Sequence, residues 1–229
     1  MMQMQRYAVY YAPRDGIGDG GFSAAAAAWL GWDATGGRVV PQPEVPGIAD
    51  QTAEPRKYGF HGTLKPPFRL VEGVRLECLT EALAGLAGRL SPVEMPGLQL
   101  AELDGFLALI PDGDTAALLD LAAKVVVALE PLRAPLTKAE IARRRPGSLT
   151  RRQRDLLASY GYPYVLEEFQ FHLTLSGRMQ DPEATALRAA AIRHFDGLLP
   201  QPFRMEDLCL FGEDQDGRFH LLHRYPLIA

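Results

Sequence analysis

One five-residue pattern occurs twice and constrains the fold more than any other feature. Phe60-His61-Gly62-Thr63-Leu64 and Phe171-His172-Leu173-Thr174-Leu175 share Phe-His-x-Thr-Leu, and the two histidines lie 111 residues apart in a chain that holds only five. In an extended strand, residues i and i+2 point to the same face. His61 and Thr63 would therefore share one face, with Phe60, Gly62 and Leu64 on the other. His172 and Thr174 would do the same, with Phe171, Leu173 and Leu175 behind them. Each unit is apolar at its back, which requires a packed layer there, and polar in front.

The surroundings of the two units also correspond. The first is followed by helical spacing of Leu76, Leu79, Leu83, Leu86 and Leu90, then by strands at 98–103 and 106–110 joined at Asp104-Gly105, a hairpin signal. The second is followed by a helix over about 182–195, with Asp181 as N-cap and Pro182 at N1. Two strands follow at 205–211 and 218–225, meeting at Asp214-Gln215-Asp216-Gly217. Asp104 lies 43 residues after His61, and Asp216 lies 44 after His172. Matching order at matching offsets argues for internal duplication. The expected architecture is α+β over residues 1–229. It is a single bilobal domain whose pseudo-twofold-related lobes, at about 58–110 and 169–225, present antiparallel sheets to a central cleft, with helices outside and the motif strands on opposite walls.

Two imidazoles and two hydroxyls converging on a cleft suit a phosphodiester. One neutral histidine can take a proton from water or a hydroxyl while a protonated one gives a proton to the leaving oxygen. Threonine hydroxyls can donate to the non-bridging oxygens where charge builds. The candidate catalytic set is His61, Thr63, His172 and Thr174, with no metal and no cofactor. Lys65 lies an even offset beyond His61 and Arg178 an even offset beyond His172, so both are candidate phosphate contacts. Tyr58, three residues before His61, joins them if the chain bulges there. Tyr164 is a candidate stacking or hydroxyl-donating residue, as are Tyr7, Tyr11 and Tyr162.

These paired motifs resemble the 2H phosphoesterase superfamily, named for its two His-x-Thr/Ser motifs. The run Pro55-Arg56-Lys57-Tyr58-Gly59-Phe60-His61-Gly62-Thr63-Leu64-Lys65-Pro66-Pro67-Phe68 is similar to a bacterial branch associated with phosphonate-utilisation genes. Gly161-Tyr162-Pro163-Tyr164, Arg6-Tyr7-Ala8-Val9-Tyr10-Tyr11-Ala12-Pro13 and Trp29-Leu30-Gly31-Trp32-Asp33 fit the same branch. The resemblance implies action on cyclic phosphodiesters and related RNA ends, and the lobed fold already expected.

The remaining features set bounds. Length fits one large domain or two small lobes. A net charge of −4 argues against a nucleic-acid partner and leaves a small phosphorylated substrate. Cys78 and Cys209 show no metal or redox spacing and read as buried reduced thiols. No signal-like or membrane-length apolar run is present, so a cytoplasmic location is expected; oligomeric state is not legible. Strand 7–12, a turn-rich loop at 16–21 and a helix from Ser23 as N-cap come first. Residues 39–55, with four prolines, read as an ordered surface loop or a lid over substrate. Between the repeats, at about 115–160, lie three helices, over 115–129, 137–145 and 150–159. Arg143-Arg144-Arg145 and Arg151-Arg152 there are either a solvated face or a basic rim. Two alternatives to a small-molecule cyclic phosphodiesterase stand: an RNA-end 2′,3′-cyclic phosphodiesterase or RNA-ligating relative, and a catalytically silent module that binds a phosphate ligand.

Overall fold

Strand β1, Arg6–Tyr11, sends alternate side chains into different cores. Val9 and Tyr11 join one apolar cluster, and Ala8 and Tyr10 join another. A strand buried on both faces is a central strand. The computed structural model describes residues 4–14, 21–180 and 183–229. After β1 come α1 (Phe22–Leu30), β2 (Trp32–Asp33), β3 (Arg38–Val39), the helical turns α2 (Ile48–Gln51) and α3 (Ala53–Arg56), β4 (Gly62–Phe68) and α4 (Leu76–Ala87). Next are β5 (Val93–Met95), β6 (Leu98–Leu103), β7 (Phe106–Pro111), α5 (Ala116–Ala128), α6 (Lys138–Arg143) and α7 (Arg151–Tyr160). The chain ends with β8 (Leu173–Thr174), α8 (Glu183–His194), β9 (Phe203–Met205), β10 (Asp207–Glu213) and β11 (Phe219–Pro226).

Seven strands form one antiparallel sheet in the order β11-β10-β1-β4-β8-β7-β6. Small ladders pair β2 with β3 and β5 with β9. The α+β class with an antiparallel sheet and helices is the one the sequence indicates. The two motif strands are direct neighbours in that sheet, with Gly62 opposite Leu173, rather than on facing walls. The reason is that β8 is too short to carry a sheet of its own. It pairs with β4 on one side and on the other with β7, whose hairpin belongs to the first repeat. The β10–β11 hairpin of the second repeat joins the first motif strand through β1.

Helices cover one face. Trp29 of α1, Leu79 and Leu83 of α4, Leu121 and Val125 of α5 and Leu187 of α8 share a core with Val9, Leu64, Leu107, Leu109, Leu173 and Leu175 of the sheet. Full burial of each such side chain contributes about 1.5–3 kcal/mol. The Trp29 indole N–H also donates to the Leu175 carbonyl at 2.9 Å, tying α1 to the second motif. The helices α6 and α7 start at capping boxes made by Thr137 with Glu140 and by Thr150 with Gln153.

Local expectations fare unevenly. The β6–β7 turn is Asp104-Gly105 with φ of 47° and 83°, the left-handed pair a two-residue hairpin needs. Helix α1 starts at Phe22, so its cap position falls on Gly21 rather than Ser23. The 39–55 segment is not a plain loop. It carries α2 and α3, and Gln42 fastens it by donating to the Trp29 carbonyl and the Thr52 hydroxyl. Cys209 is buried but Cys78 lies exposed on α4. Asp181, Pro182 and most of the 16–21 loop lie outside the described residues.

One contact sets the approach of the two motif units. A Cβ at Gly62 would overlap Cζ and Cε2 of Phe171 and come within 3.1 Å of Leu173 Cδ2. Phe171 is itself buried. The variable position of the first motif is therefore glycine because the phenylalanine of the second lies on it. Gly62→Ala is expected to destabilise the fold by about 1–3 kcal/mol, the usual cost of overpacking. Phe171→Leu should recover part of that loss in the double variant. Urea denaturation of the four proteins checks this; a Gly62→Ala midpoint equal to wild type would refute it.

Candidate active site

The two motif histidines are held alike. His61 Nδ1 lies 2.8 Å from the Gly59 carbonyl and His172 Nδ1 lies 2.8 Å from the Gln170 carbonyl, each two residues back. A carbonyl only accepts, so Nδ1 carries the proton in both bonds and Nε2 is left for chemistry. The first contact needs the turn at Gly59, where φ is 72° and a Cβ would strike Ala34 Cβ.

Register arranges the four polar groups. Extending the Gly62–Leu173 pairing by one residue each way sets His61 opposite Thr174 and Thr63 opposite His172. Directly opposed residues have Cβ atoms about 4.5–5.5 Å apart, and diagonal ones lie roughly 7–8 Å apart. The histidines thus occupy one diagonal of a square and the threonines the other. Such a square can hold a tetrahedral phosphorus with an imidazole on either side and a hydroxyl at each remaining corner.

Two adjoining hollows open over this square. One, of about 350 Å³, is bordered by Tyr10, Tyr58, His61, Thr63, Thr174 and Arg178, among others. The other, of about 370 Å³, is bordered by Thr63, Phe106, Tyr162, Tyr164, His172 and Arg178, among others. Burial pushes the His61 pKa down to about 4, against a smaller upward pull from the Gly59 hydrogen bond; the nearby His172 lowers it slightly further. Its ring lies on Tyr10, centroid to centroid 4.0 Å, with Tyr58 at 5.7 Å. Tyr10 is fully buried, and its hydroxyl has no hydrogen-bond partner among the described residues.

The structure brings together His61, Thr63, His172, Thr174, Tyr58, Tyr164 and Arg178 around one cleft. Tyr58 reaches it because β4 starts only at Gly62, so the chain before His61 turns instead of alternating. Tyr7 and Tyr11 pack on the helical face. Lys65 is not at the cleft. One residue of β1 spans two of β4 between the pairs Tyr10–Thr63 and Val9–Lys65, a bulge that puts Leu64 and Lys65 on the same, helix-covered side. Lys65 is 1% exposed, and its Nζ donates to Glu130 at 3.1 Å and to the Val126 carbonyl at 3.1 Å.

Sequence reasoning missed Arg6, Tyr10 and Phe106 as lining residues. Tyr10 had a signal in the alternation of β1; Arg6 and Phe106 had none. Among the described residues no group of three or more His, Cys, Asp or Glu could hold a metal ion. No helix of the described residues is long and apolar enough to cross a membrane.

A family model described as "Protein of unknown function (DUF1045)" matches residues 63–220. Two curated relatives are both named ribose 1,5-bisphosphate phosphokinase PhnN. The one from Janthinobacterium sp. (strain Marseille) is 35% identical over 223 residues, covering 93% of this chain and 49% of the relative. The one from Laribacter hongkongensis (strain HLHK9) is 37% identical over 214 residues, covering 93% and 49%. The chain thus spans about half the length of the curated relatives it matches. Among solved structures, one described as a phosphoesterase superposes with a TM-score of 0.45 at 14% identity, covering 99% of this chain and 100% of that one. LigT of E. coli in its apo form does so with a TM-score of 0.45 at 16% identity, covering 99% of each chain.

Lys65→Met keeps the length of the buried stem and removes the charge. Glu130 retains Arg133 at 2.6 Å, so the change should move stability by no more than about 2 kcal/mol in either direction. Binding of inorganic phosphate, followed by calorimetry, should stay within about twofold of wild type. A large loss of phosphate affinity would return Lys65 to the cleft.

Proposed function

We propose that this chain, which belongs to the DUF1045 family, is a metal-independent phosphoesterase that opens a cyclic phosphodiester of a small sugar phosphate or nucleotide. The observation that carries the reading is the square of two histidines and two threonines, with both Nδ1 atoms tied to carbonyls and both Nε2 atoms left for the substrate. His61, neutral above a pH of about 4, is the general base and removes a proton from water. The oxygen so activated attacks phosphorus while the bond to the opposite ring oxygen breaks. His172, on the far diagonal, enters protonated and gives its proton to that leaving oxygen. Thr63 and Thr174 donate to the non-bridging oxygens as negative charge grows on them. The product is a phosphomonoester with a free neighbouring hydroxyl.

Hollows of about 350 and 370 Å³ fit a small ligand better than a polymer, which favours this over an RNA end. The relatives' name supports a pentose phosphate: a ribose phosphomonoester is what a ribose 1,5-bisphosphate kinase takes and what a cyclic ribose phosphodiester becomes on opening. The motif resemblance to the phosphonate-utilisation branch supports the same setting. Tyr58, Tyr164 and Arg178 would then contact the substrate from the rim.

His61→Ala and His172→Ala should each lower kcat on a cyclic phosphodiester by roughly a hundredfold or more with the fold retained. Thr63→Val and Thr174→Val should each raise the barrier by about 2–4 kcal/mol, with Thr→Ser much milder. Steady-state assays with ribose and nucleoside cyclic phosphates, with and without EDTA, check both. Tight binding without turnover would favour a binding module instead. Loss of turnover on chelation would overturn the metal-independent mechanism.

The pH profile follows from the assignment of base and acid. His61 works only when neutral, and with its pKa near 4 the acid limb of kcat/KM should rise through a pH of about 4. In His61→Ala the residual rate should lose that acid limb. An acid limb at about 6.5, the ordinary histidine value, would reverse or abolish this assignment.

A further inference from the structure

The cations around the cleft are not equivalent. Arg6 makes a two-pronged ion pair with Glu213, its Nη2 at 2.6 Å from Oε1, so its charge is offset in place. Arg178 faces Asp104 at 3.9 Å, and both are largely exposed. Arg144 has no carboxylate partner among the described residues. It borders the same hollow as His61, Thr63 and Thr174, and its guanidinium lies over the Tyr162 ring, 4.7 Å from the centroid. Its neighbours Arg143 and Arg145 are exposed, whereas Arg144 is half-buried.

The backbone just after it is strained. Arg145 has φ 47° and ψ 59°, although it is not glycine and precedes Pro146, where extended backbone is preferred. Strain of this kind persists where surrounding structure enforces it, and it clusters at ligand clamps. The enforcement is visible. The capping box at Thr137 fixes the start of α6, Arg69 holds Glu140 of that helix at 3.0 Å, and the Thr150 box fixes the start of α7. A half-buried guanidinium that is uncompensated and stacked on an aromatic ring is preorganised for an anion. The scissile phosphate has its own four groups, so this cation is left for another. Charge is also asymmetric across the cleft. Arg178 borders both hollows; the one beside His172 adds Asp104 and Glu168, while the one beside His61 adds Arg6 and Arg144. Its one carboxylate, Glu54, is paired with Lys57 at 2.7 Å.

We infer that Arg144, seated on Tyr162, is a specificity-determining residue that takes a second anionic group of the substrate. The substrate class is then a small cyclic phosphodiester that also carries a separate phosphomonoester. This rests on the phosphodiester reading of the same cleft.

Calorimetric titration of the full chain with ribose 5-phosphate and with ribose 1,5-bisphosphate tests it without requiring turnover. Wild type should bind the bisphosphate roughly ten- to a hundredfold more tightly, the scale of one charge-assisted contact. Arg144→Gln should lose that advantage while its affinity for the monophosphate stays within about twofold. Arg144→Lys should keep part of it. No preference for the bisphosphate, binding of neither probe, or an advantage that survives Arg144→Gln overturns the inference. Failure of every cyclic phosphodiester to turn over in wild type counts against the catalytic reading alone, because the binding comparison still decides the role of Arg144.

Discussion

The Phe171 ring lies on the bare Cα of Gly62, and the rest of the site depends on that contact. The contact requires a glycine in one motif and a buried aromatic in the other, so neither unit is complete by itself. It lets β8, only two residues long, pair with β4. That pairing in turn fixes the register, and a slip of one residue would send every motif side chain to the opposite face. Once the register is set, each histidine faces the other repeat's threonine with no further device.

Orientation of the imidazoles is a separate matter, settled by the backbone. A carbonyl two residues upstream holds each Nδ1 proton, which fixes both ring plane and tautomer. The same local geometry serves both histidines, but their surroundings differ. His61 rests on Tyr10 beside Tyr58, where burial disfavours the imidazolium, whereas His172 has Phe106 at 5.6 Å. A nearly symmetric arrangement thereby places its two imidazoles in unequal surroundings. The Tyr10 ring supplies that environment at the cost of a buried hydroxyl without a hydrogen-bond partner among the described residues, typically about 1–3 kcal/mol.

Cations near the site divide into those neutralised by a close carboxylate of the fold and those that are not. Lys65 and Arg6 belong to the first group. Lys65 is taken up by Glu130 under the sheet, and Arg6 by Glu213 at its end. Arg144 belongs to the second, and Arg178 lies 3.9 Å from exposed Asp104. Proximity to a motif in sequence therefore says little about function: Lys65 sits two residues beyond a motif threonine and works in the core, while Arg144 comes from a distant helical segment.

The sequence by itself determined the polar and apolar faces of the two motif units, the order of helix and hairpin after each, the Asp104-Gly105 turn and the helices that begin near Thr137 and Thr150. All of these rest on local periodicity or on one residue's own conformational preference, which need no knowledge of distant chain. It also showed which four side chains belong together, because a repeated pattern is visible without a fold. Tertiary structure decided what depends on pairing. It made the motif strands neighbours rather than facing walls, since a two-residue strand must borrow partners on both sides. It moved Lys65 off the cleft, since a β-bulge exists only relative to the partner strand β1. It recruited Arg6, Tyr10, Phe106 and Arg144, which lie far from one or both motifs in the chain and meet them only when the sheet closes and the α6–α7 segment packs beside it.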